Sequence, residues 1–137
     1  MKMMLSKHFS RDEMSCKCGC GLCNASDPLI HLLEEIREEL GNTPIYVTSG
    51  TRCERWNKIQ KGVENSQHLY GRAADIKHGT LSPAQVARKI VSAFSEGRLQ
   101  GLREMILYDD DDFVHVDTRK SSTVKFYRKT KDGFEPY

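Results

Sequence analysis

Nowhere does the chain carry an apolar run near the ~20 residues that a membrane helix requires, so no helical membrane insertion is expected. No segment repeats, no stretch is low in complexity, and the four prolines and ten glycines do not gather into a linker. These absences exclude a repeat array and a disordered or fibrous chain, and they leave no place for a domain boundary. An excess of one charge is missing as well: 21 Lys and Arg against 19 Asp and Glu give a net charge of +2. A nucleic-acid binder would show a basic stripe and a higher pI, so no nucleic-acid partner is expected. What the chain does have is 38% hydrophobic and 29% charged residues over 137 positions, the makeup of a globular domain. A chain of this length buries roughly 68% of its unfolded surface, which suffices for one core. We therefore expect a single domain over residues 1–137, acting as a monomer. The start Met1-Lys2-Met3-Met4-Leu5 is too short for a secretory signal, so synthesis in the cytoplasm is expected.

Cysteine is scarce except at one place. Cys16, Cys18, Cys20 and Cys23 crowd into eight residues, and Cys53 stands alone. An odd, clustered count is not the pattern of a secreted disulfide scaffold. A structural zinc site normally uses two Cys-x2-4-Cys pairs. Cys20 and Cys23 fit one such pair, whereas Cys16 and Cys18 are too close to form a good second one. A metal knuckle, a disulfide from the cluster to Cys53, and reduced thiols are the three readings of this set.

Helix and strand signals alternate along the rest. Ser10-Arg11-Asp12-Glu13 is a capping-box pattern that starts a short helix. Asp27 before Pro28 reads as an N-cap, and Leu29, Leu32, Leu33, Ile36 and Leu40 follow at helical spacing until Gly41 closes the helix. Residues 44–49 are rich in β-formers and read as a strand, and residues 52–60 as a short helix. Arg72–Ile76 is a short strand. Ser82 and Pro83 open a second amphipathic helix, with Val86, Ile90, Val91 and Phe94, that stops at Gly97. Three strand-like runs end the chain: Glu104–Tyr108, Phe113–Thr118 and Thr123–Arg128. Helices first and strands later predict an α+β fold, a mainly antiparallel sheet with flanking helices.

Two runs carry chemistry. The first, from Asn65 to Ile76, places His68 seven residues before Asp75 with Gly71, Ala73 and Ala74 between them. On one unbroken strand that offset would send the two side chains to opposite faces. A turn at Tyr70-Gly71 removes the objection and lets His68 lean back towards Asp75. In the second run, Asp112 to Asp117, strict alternation puts Phe113, His115 and Asp117 on one face and Val114 and Val116 on the other. Two histidines and a carboxylate make a zinc ligand set with a fourth position left for water. Spacing alone leaves the alternatives open, a surface histidine and a capping aspartate. His8, His31 and His78 have no ligand partner at useful spacing.

The pattern Ser66-x-His68-x-x-Gly71-x-Ala73-x-Asp75, followed about forty residues later by Phe113-Val114-His115-Val116-Asp117, resembles the zinc D-Ala-D-Ala carboxypeptidases of the M15 peptidase family. These share a fold with the vancomycin-resistance dipeptidases and the hedgehog signalling domain. His8–Glu13, Cys16–Gly21 and Val47–Cys53 match in the same order, so the resemblance covers roughly residues 8–119 and leaves 120–137 as a C-terminal strand and tail.

The resemblance implies a hedgehog/DD-peptidase-like fold, one Zn2+ ion held by His68, Asp75 and His115, and a general base at Asp112, three residues before the last histidine. Asp111 and Asp117 are rivals for that base, and Asp109–Asp112 alternatively reads as a solvated turn. Relatives that carry a histidine two residues before the last ligand differ here, where Phe113 stands. Arg52 is implied as a catalytic and substrate-binding residue, gripping a carboxylate or stabilising an oxyanion; a surface salt bridge is its alternative. Ser66 either contacts substrate backbone or caps the turn.

The implied activity is hydrolysis of an amide in bacterial peptidoglycan peptide stems, at the cell wall, by a carboxypeptidase or related endopeptidase such as a phage or prophage lytic enzyme. The rivals are a zinc-retaining binding module of the same fold and a cysteine-knuckle interaction protein. Lys120, Lys125, Arg128, Lys129 and Lys131 give the tail a modest basic bias, which either aids approach to anionic wall polymers or belongs to a plain edge strand.

Overall fold

Serine hydroxyls set where the main helices begin. Ser10 accepts from the Glu13 backbone N–H while Glu13 reaches back to Ser10, which starts α1 (Arg11–Met14). Ser82 and Gln85 make the same reciprocal pair at the start of α4 (Pro83–Ser95). For α2 (Asp27–Glu39) the cap is Ser26, one residue earlier than the sequence suggested, because its hydroxyl accepts from Leu29 N–H and leaves Asp27 in the first turn. Between these lie β1 (Ile45–Ser49), α3 (Glu54–Ile59), a 3-10 turn (Gln67–Tyr70) and β2 (Ala73–His78). The chain ends with β3 (Glu104–Tyr108), β4 (Phe113–Asp117), β5 (Lys125–Thr130) and β6 (Gly133–Pro136). This computed structural model describes residues 2–137.

The six strands form one sheet in the order β1-β2-β4-β3-β5-β6. The sheet is mixed, which corrects the expectation of a mainly antiparallel one: β3 and β5 run parallel, with Glu104 opposite Lys125 and Leu107 opposite Arg128. The cause is the connection after β4. β3 and β4 form a hairpin, so β4 ends at Asp117 beside the start of β3 at Glu104. The short segment that follows rounds that same end and delivers β5 to the far side of β3, where it can only run in the direction of β3. The α+β class stands.

Alternation divides the sheet into two faces. Ala74 and Ile76 of β2, Met105 and Leu107 of β3, and Val114 and Val116 of β4 turn inward to the helices. They pack against Leu29, Leu32, Leu33 and Ile36 of α2 and Val86, Ala87, Ile90 and Ala93 of α4. Burial of each large aliphatic side chain here contributes about 1.5–3 kcal/mol. The alternate residues, Asp75, His115, Asp117 and Glu104, therefore face away from the helices. No helix among the described residues is long and apolar enough to cross a membrane. All five cysteines carry free thiols, and Cys23 packs against the core apart from the others.

Candidate metal centre

Strand register brings the first two residues of the centre together. Asp75 on β2 lies directly opposite His115 on β4, and His115 Nδ1 is 3.0 Å from Asp75 Oδ1. The third residue arrives from the 3-10 turn. Ser66 caps that turn by accepting from His68 N–H, and Gly71 ends it at φ 69°. Only glycine serves there, since a Cβ on Gly71 would lie 1.9 Å from the Asn24 carbonyl oxygen. The turn reverses the chain so that His68 folds back over β2, and its Nε2 comes within 3.3 Å of Asp75 Oδ1. The three side chains are buried, and one ligand atom from each lies within 4.8 Å of the others.

The remaining ring nitrogens are occupied. His68 Nδ1 donates to the Gly50 carbonyl at 2.8 Å, and His115 Nε2 donates to Asp117 Oδ2 at 2.8 Å. The Gly50 carbonyl fixes the His68 tautomer and aims its Nε2 lone pair at Asp75 Oδ1, the oxygen that His115 Nδ1 also faces while Asp117 holds its other nitrogen. Lone pairs facing a carboxylate require a cation or a proton between them. Two neutral imidazoles and a carboxylate, each imidazole braced by an oxygen acceptor, have the donor chemistry and surroundings of a zinc site, so the residues fit that ion.

With a proton rather than a cation between them, the same groups hold one another charged. Burial alone would raise the Asp75 carboxyl pKa, but hydrogen bonds from His115 and His68 overcome it and hold the group well below the usual carboxylate range. Burial disfavours the imidazolium of His115, yet Asp117 and Asp75 together push its pKa up to about 9. Asp117 is fully buried and is gripped in turn by Arg119, whose Nη2 is 2.7 Å from Asp117 Oδ2 and 2.8 Å from Glu104 Oε2.

The other expected residues fall in different places. Arg52 is not a surface residue: its Nη2 sits 3.4 Å from Asp75 Oδ2, its Nε donates to Ser49 Oγ and its Nη1 to Asn57 Oδ1. Asp112 lies in the β3–β4 turn at φ 62°, exposed, with Lys77 Nζ at 3.0 Å. Lys77 is two residues beyond Asp75 on the same face of β2, so Asp112 stands at the edge of the centre and makes no hydrogen bond to its three residues. Asp117, one rival for the base, is committed to His115 and Arg119. His78 bonds to Thr43 Oγ1 and accepts from Thr80 and Leu81 N–H, so it holds a loop. His8 pairs with Glu34 instead.

Residues 7–117 match the Peptidase M15 family. The chain belongs to that family. A zinc D-Ala-D-Ala carboxypeptidase of Streptomyces albus G is 39% identical to this M15 peptidase over 59 residues. That stretch is 41% of this chain and 23% of the relative, so less than a quarter of the relative's length is matched. Zinc is the ion that this family and the relative's name imply.

Reading the sequence missed the brace on each histidine. The Gly50 carbonyl could not have been found, since a backbone acceptor leaves no mark in the residue pattern. Asp117 left one: His-x-Asp on an alternating strand puts both side chains on one face. Tyr108, stacked on Phe113 with ring centroids 4.4 Å apart, was also missed as part of this face. Burial and nearby Asp75 push its phenol up to about 12, so it stays a neutral donor.

Proposed function

We propose that this M15 peptidase cleaves an amide bond in bacterial peptidoglycan peptide stems, with a zinc ion held by His68, Asp75 and His115. The observation that carries the reading is the buried convergence of those three side chains, with each outer ring nitrogen already bonded to an oxygen. When bound there, zinc polarises a substrate carbonyl and makes water a better nucleophile at neutral pH.

The protein's own groups supply the rest. Asp112 is assigned to take the proton of the attacking water and pass it to the leaving amine. Lys77 Nζ, 3.0 Å away, holds this carboxylate in place at the edge of the centre. Arg52 orients Asp75 and sets a positive charge beside the reacting carbonyl oxygen. Ser66 keeps His68 in place through its backbone N–H.

A cavity of about 520 Å³, lined by Gln67, Arg72, Arg103, Glu104, Arg119 and Lys125 among others, reaches Arg119, which grips the Asp117 brace. Gln67 Oε1 is buried without a hydrogen-bond partner. A substrate N–H would satisfy that acceptor, whose unmet bond otherwise costs about 1–3 kcal/mol.

The test is zinc content and stem-peptide hydrolysis on one preparation, wild type against His115→Ala. Loss of one zinc equivalent together with cleavage supports the reading. Zinc bound by the wild type with no cleavage of any wall peptide would turn the assignment to a binding module.

A further inference from the structure

The loop between α1 and α2 curls its thiols to one point. Gly19 at φ 88° and Gly21 at φ 85° sit in the left-handed region, which bends the Cys-x-Cys-x-Cys segment back on itself. Cys16, Cys18 and Cys20 thereby meet Cys53, which begins α3 some thirty-three residues further on, and the four sulfurs lie within 4.8 Å of one another. Cys16 Sγ is 3.4 Å from Cys18 Sγ, and Cys18 Sγ is 3.7 Å from Cys53 Sγ. A disulfide would need about 2.05 Å between two sulfurs. Tetrahedral zinc with Zn–S bonds of about 2.3 Å sets its ligands roughly 3.8 Å apart, close to what the thiols already have.

Hydrogen-bond donors and a cation also face the sulfurs. The Cys53 N–H donates to Cys16 Sγ and the Trp56 N–H to Cys53 Sγ, each at 3.4 Å. The Arg55 guanidinium lies beside Cys18 and Cys53 and offsets the negative charge that four thiolates around one divalent ion would leave. Cys23 does not take part, which sets aside the Cys20/Cys23 pairing suggested by spacing.

We propose that Cys16, Cys18, Cys20 and Cys53 form a second, structural site for one zinc ion, each thiol releasing its proton to solvent as the metal binds. Four protein ligands close the coordination sphere, which leaves no open position for chemistry and separates this site from the His/Asp centre. Its role follows from where Cys53 sits. The preceding residues are Gly50, which accepts from His68, and Arg52, which pairs with Asp75. Thr51 N–H also donates to the Met14 carbonyl, two residues before Cys16. A metal here would clasp the wall behind the His/Asp centre.

The experiment is metal analysis and cobalt substitution on the full chain purified under reducing conditions. Wild type should hold a second zinc equivalent beyond the one lost in His68→Ala. The exposed-site variant Cys20→Ser should lose one equivalent and keep the other. Cobalt-loaded wild type should show thiolate-to-cobalt charge-transfer absorption, which the His/Asp centre cannot produce, so this readout stands even if Cys20→Ser fails to fold. A single zinc equivalent that vanishes in His68→Ala, a cobalt form without thiolate absorption, iron in place of zinc, or a disulfide among the four cysteines would overturn the proposal.

Discussion

Asp75 and His115 face each other across neighbouring strands, and their geometry is inherited from sheet register. Cys16, Cys18 and Cys20 share five residues of loop, and their geometry comes from two left-handed glycines and one residue borrowed from α3. The first group is buried and offers three ligands; the second is partly exposed and offers four. Rigid register suits a centre whose open position must be held to a fraction of an ångström. A loop that wraps an ion needs the ion itself to define its shape. The two regions touch through the segment from Gly50 to Cys53, so a change at one can reach the other.

The hardest break is His115→Ala. It removes a ligand from the sheet-built centre and should reduce cleavage to background with loss of one zinc equivalent, while the cysteine-bound equivalent persists. Parallel metal analysis and peptide hydrolysis check both halves. Loss of both metals would mean that the regions fold as one unit.

Asp112→Asn should leave both metals in place and lower kcat by about 10²- to 10⁴-fold, the usual contribution of a general base. Steady-state kinetics with metal content on the same sample decides this. Unchanged kcat would remove Asp112 from the mechanism and return Asp111 to consideration.

Asp117→Asn tests the brace alone. The amide can still accept from His115 but no longer offers a charge to it or to Arg119, so zinc affinity at this centre should fall by about 10- to 100-fold. Competition against a chromophoric chelator measures the change, and the cysteine site should hold its metal as tightly as before.

How far these regions were legible before the structure differs in the same way. β3 and β4 were read nearly to the residue, because Glu104–Tyr108 and Phe113–Asp117 are β-rich runs and the second alternates strictly. The reversal at Gly71 was also legible, since His68 and Asp75 could meet only if the chain turned between them. β6 was not: four residues that begin with Gly133 and end with Pro136 carry no periodic signal. The parallel β3–β5 pairing was hidden because local pattern shows that a strand exists and not which strand it joins. The cysteine cluster was legible only in part for a related reason. Spacing favoured Cys20 with Cys23 and offered Cys53 as a disulfide partner, whereas left-handed Gly19 and Gly21 bring Cys16, Cys18 and Cys20 together around Cys53. Asp117 was seen on the correct face, but its bonds to His115 and Arg119 were not read, because a face does not say which neighbour a carboxylate binds.

The smallest effect sharpens the comparison by touching neither region. Glu34 on α2 accepts from Ser6 Oγ at 2.5 Å and His8 N at 2.9 Å, and its other oxygen meets His8 Nδ1 at 2.6 Å. Burial would raise its pKa, but these bonds from Ser6 and His8 lower it. A carboxyl whose folded pKa lies below its unfolded value adds stability above the unfolded pKa and loses it as pH falls through the folded one. Glu34→Gln should therefore cost about 1 kcal/mol at neutral pH, and the gap to wild type should close as the solution is acidified below the ordinary carboxylate range. Denaturant unfolding at several pH values measures it. Both zinc equivalents should remain, because Glu34 braces only the N-terminal arm against α2. If that arm also positions α1 and the cysteine loop behind it, the cysteine-bound zinc would weaken while the sheet-built centre stayed intact, and the dependence of the loop on its supports would be shown directly.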